Sequence, residues 1–244
     1  MSAYARLKAV YRALVPSRAR QWLHAHAPGW LLSLRYRAVS RLERGAAADE
    51  LYDAYYYDHD VDPLMLSSAD AMAKSLVGAF EPRFVIDVGC GTGALLAALA
   101  RLGVHGLGFD YAPAALERCR ARGVSTRRLD IQRDPFPAER ADLTISTEVA
   151  EHLPESSADR FVELLTTLAP VVAVTAALPG SRGKDHVNEQ PNEYWITKFN
   201  SFQFAYDGPL TTRLRTEWRD GGVAETFFRS LMIFRGDDQT ASTR

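Results

Sequence analysis

The stretch Phe84-Val85-Ile86-Asp87-Val88-Gly89-Cys90-Gly91-Thr92-Gly93, followed by Ala94-Leu95-Leu96-Ala97-Ala98-Leu99-Ala100, decides the fold of this 244-residue chain. The first five residues are a short β-rich run and the last seven a strong helix former. Between them lie three glycines in five positions. A strand that turns sharply into a helix brings the free N–H groups of the helix N-terminus to the turn. Glycines let the backbone approach a ligand with no Cβ in the way. Asp110 falls 21 residues after Gly89, at the end of the next strand. A carboxylate there can accept hydrogen bonds from both hydroxyls of a ribose. The pattern predicts a nucleoside ligand at the C-terminal edge of a sheet.

Working outward, strand and helix alternate. A helix is expected from the Ser67-Ser68 pair, read as its N-cap, to Phe80. Strands are expected at 104–109, 124–129, 143–147 and 171–175, with helices at 94–100, 112–121 and 159–168. Alternation of this kind specifies a parallel sheet covered on both faces by helices, joined by right-handed crossovers. The end of the chain departs from it. Residues 210–219 and 225–234 both read as strands around Asp220-Gly221-Gly222, which predicts a terminal antiparallel hairpin.

Composition bounds the class. With 47% hydrophobic and 24% charged residues, the chain can bury a core and is not wholly disordered. No apolar run is long enough to span a membrane, and the first residues lack a secretory signal, so a cytoplasmic protein is expected. Cys90 and Cys119 are too few for a disulfide framework, and no Cys-x-x-Cys pair suggests zinc. The formal net charge of −1 conceals a split: residues 1–44 carry nine Lys/Arg and one acid, a net +8, and the remainder carries −9. The basic segment includes Trp22, Trp30, Leu31 and Leu32, broken by Pro16, Pro28 and Gly29. It reads as a helical arm that packs on its own domain or on a second subunit of a homo-oligomer, or else lies on an anionic membrane surface. It is a weak nucleic-acid signal. Asp49 to Asp62 is acidic and holds Tyr52, Tyr55, Tyr56 and Tyr57, which reads as a polar linker or as a lid over the site, with Tyr56 a candidate substrate contact. The domain organisation is then an arm and lid over 1–66, a catalytic body over 67–236 and a disordered tail over 237–244.

The glycine loop also satisfies the looser dinucleotide pattern. Asp87 argues against a dinucleotide, because a pyrophosphate would meet a like charge there and a cationic amino acid would not. A terminal hairpin is also foreign to the usual dinucleotide fold. These residues, with Gly108-Phe109-Asp110-Tyr111, Leu129-Asp130-Ile131 and Asp142 to Leu153, resemble the class I S-adenosylmethionine-dependent methyltransferases over roughly residues 68–234. The resemblance implies a seven-stranded sheet of order 3-2-1-4-5-7-6 with the last strand antiparallel. It places Asp87, Gly89, Cys90, Gly91 and Gly93 around the methionine part of the cofactor and Asp110 on its ribose. It places Tyr111 and Ile131 beside the adenine, Asp130 on the adenine amine, and Glu148 at the edge of the same pocket. Cys90 itself reads as a small filler and not as a nucleophile.

Methyl transfer to a hydroxyl needs an in-line acceptor and a route for its proton. Glu148, Glu151 and His152, at helical spacing i, i+3 and i+4, can converge on one face. His186, in the polar loop after the fifth strand, can face them. Either histidine is a candidate general base, and the four side chains together are a candidate site for Mg²⁺, Mn²⁺ or Fe²⁺. The Glu-x-x-Glu-His run is similar to that of metal-dependent quinone-precursor and small-RNA methyltransferases of the same superfamily. The run from His186 to Trp195 resembles small-molecule methyltransferases of bacterial glycan and natural-product pathways. It makes Asn188, Gln190, Tyr194 and Trp195 candidate acceptor contacts, with Trp195 and Phe199 equally readable as core. The expected reaction is methylation of a hydroxyl on a sugar or secondary metabolite. The rival readings are a nicotinamide-dependent oxidoreductase and a membrane-associated binding protein without catalysis.

Overall fold

The computed structural model describes residues 3–15, 51–181 and 183–236. Most of the basic arm, with its two tryptophans, and the expected disordered tail lie outside the described residues. Helix α1 (Ala3–Leu14) carries Leu7, Val10 and Leu14 exposed. Among the described residues no helix is long and apolar enough to cross a membrane.

Seven strands form one sheet: β1 (Phe84–Val88), β2 (His105–Asp110), β3 (Thr126–Arg128), β4 (Leu143–Thr147), β5 (Val171–Thr175), β6 (Phe204–Tyr206) and β7 (Met232–Gly236). Their order is β3-β2-β1-β4-β5-β7-β6, as the sequence led us to expect. The pairs β3–β2, β2–β1, β1–β4 and β4–β5 are parallel, and β7 runs antiparallel to both β5 and β6. Side chains alternate across the pleat. Val85, Leu143, Ile145, Ala173 and Ile233 face one core, with Met72, Leu76, Leu99, Leu214 and Trp218 packed on them. Ile86, Val88, Val172, Val174, Met232 and Phe234 face the other, against Phe161, Val162, Leu165, Trp195 and Phe199. Both faces are therefore covered, and only the strand ends are open to a ligand.

Beside the sheet lie α2 (Ala54–Tyr56), a π-turn (Tyr57–Val61), α3 (Asp62–Phe80), α4 (Ala94–Arg101), α5 (Pro113–Ala121), α6 (Ala158–Leu168), α7 (Asn192–Ser201), α8 (Gly208–Asp220) and α9 (Glu225–Ser230). Three expectations are corrected. Residues 210–219 and 225–230 are helices α8 and α9, not strands of a hairpin. Asp207 caps α8 by accepting from the Leu210 N–H at 3.0 Å, and Pro209 suits its first turn. Leu214 and Trp218, four residues apart, are buried on its inner face. The antiparallel pairing is made instead by β7 with the short β6. Ser67 and Ser68 do not cap a helix, because α3 starts at Asp62-Pro63 and runs through them. The expected domain boundary at 66/67 thus falls inside a helix, and lid and body are continuous. Ser68 is buried, and its Oγ accepts from the Ala224 N–H.

Phe161 is fully buried where α6 meets α7, with its ring 6.1 Å from that of Trp195. Phe161→Ala should cost about 3–5 kcal/mol in urea unfolding, since the cavity is walled by sheet and helix that cannot collapse together.

Candidate active site

The first site element is the turn after β1. Gly89, Gly91 and Gly93 all hold left-handed backbone, at φ 76°, 53° and 74°. A Cβ on Gly89 would lie 2.3 Å from Val149 Cγ2, so side chain and conformation both exclude other residues. A Cβ on Gly91 would meet only Val61 at 3.8 Å and Tyr57 at 4.0 Å, on the lid. Space alone would admit a side chain there, so it is the left-handed backbone that favours glycine. The N–H groups of Gly89 and Cys90 both donate to the Phe109 carbonyl, at 2.7 and 3.0 Å, locking the turn onto β2. Cys90 is buried with its Sγ 4.0 Å from that of Cys119, consistent with the filler role.

Two carboxylates end the adjacent strands β1 and β2. Asp110 accepts from the Gly91 N–H through one oxygen and the Ala112 N–H through the other, both at 2.9 Å. Burial lifts its pKa to about 6 against the pull of these donors. Asp87 is 2% exposed, and its Oδ1 has no hydrogen-bond partner. Burial, and secondarily the charge on Asp110, push its pKa up to about 7. A buried carboxylate with an unpartnered oxygen is costly unless a cation meets it. The chemistry of this cradle fits an amino-acid ammonium beside a ribose, and so fits S-adenosylmethionine. Asp130 lies past β3, with its Oδ1 accepting from the Gln132 N–H, and its charge bears on Tyr111. Ile131 is partly buried behind it, against the second core.

The second element follows β4 and β5. Glu148 does not share a helical face with Glu151 and His152, a further correction. It sits at φ 53°, and residues 150–152 form a single 3₁₀ turn. Its carboxylate accepts from the hydroxyls of Thr175 at 2.8 Å and Thr226 at 2.7 Å, tying β4 to β5 and α9. Glu151, His152 and His186 do converge, with one ligand atom from each within 4.8 Å of the others. Both oxygens of the fully buried Glu151 lack hydrogen-bond partners, and burial, then the charge of Glu148, raises its pKa well above the usual range. One orphaned carboxylate and two imidazoles fit a divalent cation, with Glu148 outside the set. Burial depresses the His152 pKa to about 3, so this imidazole stays neutral, the form that ligates metals. His186 lies with Nε2 3.9 Å from Glu151 and Nδ1 2.8 Å from Glu189 Oε1. The loop carrying it is docked by the Val187 and Asn188 N–H groups, which both donate to the Glu151 carbonyl.

The proposed acceptor contacts separate. Asn188 is buried beside this cluster and accepts from Gln190 Nε2 at 2.9 Å, leaving its own Nδ2 unpartnered. Trp195 is 1% exposed within the second core, and Tyr194 is partly buried against it, under Lys198 Nζ at 5.2 Å. Trp195 is thus a core residue, the alternative that its spacing from Phe199 had left open. Tyr56 sits under Lys184 Nζ, 4.2 Å from the ring centre.

The stretch read as linker or lid meets the glycine turn directly through Asp62. Asp62 accepts from the Thr92 hydroxyl at 2.5 Å and pairs with Arg122 at 2.9 Å. Arg122 in turn donates to the Thr92 carbonyl. Arg118 reaches Asp58 and the Ala54 carbonyl. Sequence reasoning missed Thr92, Arg122, Lys184 and Asp185, and it placed Asp62 and Tyr52 in the linker or lid stretch without naming their contacts.

Residues 85–170 match a family model described as a methyltransferase domain. The ubiquinone biosynthesis O-methyltransferase of Acinetobacter baumannii (strain ACICU) is 32% identical over 105 residues, 40% of this chain and 43% of that protein. The match thus spans less than half of the relative's length. Among solved structures, a putative methyltransferase of Haloferax volcanii in complex with its Trm112 activator has a TM-score of 0.57 at 18% identity, covering 78% of this chain and 99% of that one. Magnesium protoporphyrin IX methyltransferase of Synechocystis PCC 6803, solved with bound SAH, gives 0.52 at 16%, covering 73% and 85%. The strand order, the glycine turn with its two buried aspartates and the sequence match agree: residues 85–170 are a methyltransferase domain, and the chain resembles the class I S-adenosylmethionine-dependent methyltransferases in fold.

Proposed function

We propose that this chain methylates a hydroxyl oxygen of a small molecule, with the methyl donor on the glycine turn and the acceptor over Glu151, His152 and His186. The convergence of these three side chains beside the β1 and β2 carboxylates carries the reading. Asp87 takes the donor's ammonium, the backbone from Gly89 to Gly93 wraps its methionine part, and Asp110 accepts from its ribose. Tyr111 and Ile131 flank the adenine, and Asp130 faces its amine. Glu148 holds the strand tips through Thr175 and Thr226. Tyr56, Asn188 and Gln190 line the acceptor. A sugar or secondary-metabolite hydroxyl suits this polar lining, and the printed name of the bacterial relatives widens the choice to the hydroxyl of a quinone precursor.

Glu151, His152 and His186 would hold a divalent cation, which when bound lowers the pKa of the acceptor hydroxyl and orients it. A second reading has its own support. The 2.8 Å contact between His186 Nδ1 and Glu189 would orient the ring so that Nε2 takes the proton directly. Transfer of labelled methyl from S-adenosylmethionine to a panel of phenolic and sugar hydroxyls tests the reaction. His186→Ala should abolish turnover and leave S-adenosylhomocysteine affinity within about twofold, since in either reading the ring acts on the acceptor. Loss of activity on chelation, restored by Mg²⁺ or Mn²⁺, selects the cation; chelator resistance with a Glu189→Gln defect selects the base.

Cofactor affinity should rise with pH. The ammonium needs Asp87 ionised, and its pKa near 7 in the free protein must fall on binding. Below that value binding releases a proton, and between about pH 6 and about pH 7.5 the affinity grows as that cost disappears. Asp110, near 6, acts in the same direction. Calorimetry of S-adenosylhomocysteine across this range should show the slope, and Asp87→Asn should flatten and weaken it.

A further inference from the structure

We infer that Tyr52 on the lid and Asp185 on the β5 loop are positioning residues that fix the tautomer of His152. The inference rests on the reading of His152 as part of the cation-holding or proton-accepting cluster. Tyr52 is buried, and its hydroxyl lies 3.0 Å from Asp185 Oδ2 and 3.1 Å from His152 Nδ1. The Asp185 carbonyl lies 3.3 Å from the same nitrogen.

The proton inventory has one solution. A phenol has one hydrogen, and a carboxylate only accepts. Tyr52 therefore donates to Asp185, and its oxygen is left to accept from His152. The Asp185 carbonyl can also only accept. Both oxygens around Nδ1 thus require a hydrogen on that nitrogen. The neutral ring therefore carries its one hydrogen there, and Nε2 keeps its lone pair for a cation or a proton. A partner on the second ring nitrogen of an active histidine sets ring orientation and basicity.

Tyr52 also joins the segment before α3 to the loop after β5. Lys184 donates to the Leu51 carbonyl, next to Tyr52, and lies over the Tyr52 and Tyr56 rings. The Tyr52 ring meets Tyr56, Tyr111 and His152 edge-on, at 5.4 to 5.8 Å. Tyr111 is the residue expected against the adenine. Seating of the lid thereby delivers the hydroxyl that orients His152, so the cluster is complete only with the lid in place.

Long-range proton–nitrogen correlation on the full chain with ¹⁵N-labelled histidine tests this without turnover. The His152 resonances are identified by their loss in His152→Gln. We expect a protonated Nδ1 and a bare or metal-shifted Nε2; a bare Nδ1 overturns the proposal. Tyr52→Phe keeps the ring and removes only the hydroxyl. It and Asp185→Asn should lower kcat about tenfold to hundredfold, with KM and S-adenosylhomocysteine affinity within about twofold. Unchanged kcat in Tyr52→Phe also overturns it. A wild-type chain that transfers no methyl refutes the reaction proposed above, and the tautomer measurement then decides this inference alone.

Discussion

Two carboxylates end neighbouring strands of a parallel sheet, out of reach of bulk water, and one of them has an oxygen with nothing to bind. The other features of the site are arranged around that charge. Asp110 is held by backbone N–H groups of the turn and of α5, which is why both termini of the crevice keep their shape. Asp87 has no such support on Oδ1. Burying an anion costs more than a neutral group can repay, so the free protein carries Asp87 near its protonation midpoint at neutral pH. In the function proposed above, the ammonium of S-adenosylmethionine would supply the missing positive charge. The glycine turn lies beside Asp87, with Val61 and Tyr57 packed near Gly91.

Polar contacts and burial divide the work of holding the lid. The Arg118–Asp58 pair is half exposed and contributes little by itself. Asp62 with Arg122 and Thr92 is more sheltered and is bound directly to the glycine turn. Leu51, Tyr52 and Tyr57 are buried against Ala112 and Ala115 of the α5 region, and this apolar contact is the larger contribution. Cofactor site, lid and histidine cluster thus share residues.

Much of this was legible in the sequence where the signal was local. The runs 84–88, 143–147 and 171–175 are the observed β1, β4 and β5. The three glycines of Gly89 to Gly93 pointed to a tight turn, and all three hold left-handed backbone. The sheet order followed from the resemblance those residues carry. What failed was also local, where residue preference and spacing competed. Thr211, Thr212, Thr216 and Trp218 favour strands by residue type, yet the Asp207-Gly208-Pro209 start signal and the Leu214–Trp218 spacing were helical. Asp62-Pro63 was likewise a better helix start than Ser67-Ser68. The Glu148 to His152 run converges only in part, because a left-handed Glu148 and a 3₁₀ turn break helical spacing. The Tyr52–Asp185 contact spans 133 residues and leaves no local trace.

The central claim is that the crevice between β1 and β2 holds a sulfonium nucleoside through Asp87 and Asp110. A crystal structure of the full chain grown with S-adenosylhomocysteine tests it most directly. The account predicts the ligand's amine on Asp87 Oδ1 and its two ribose hydroxyls on Asp110, with Tyr111 against the adenine. A ligand bound elsewhere, or a crevice filled by the chain's own side chains at saturating ligand, would contradict it.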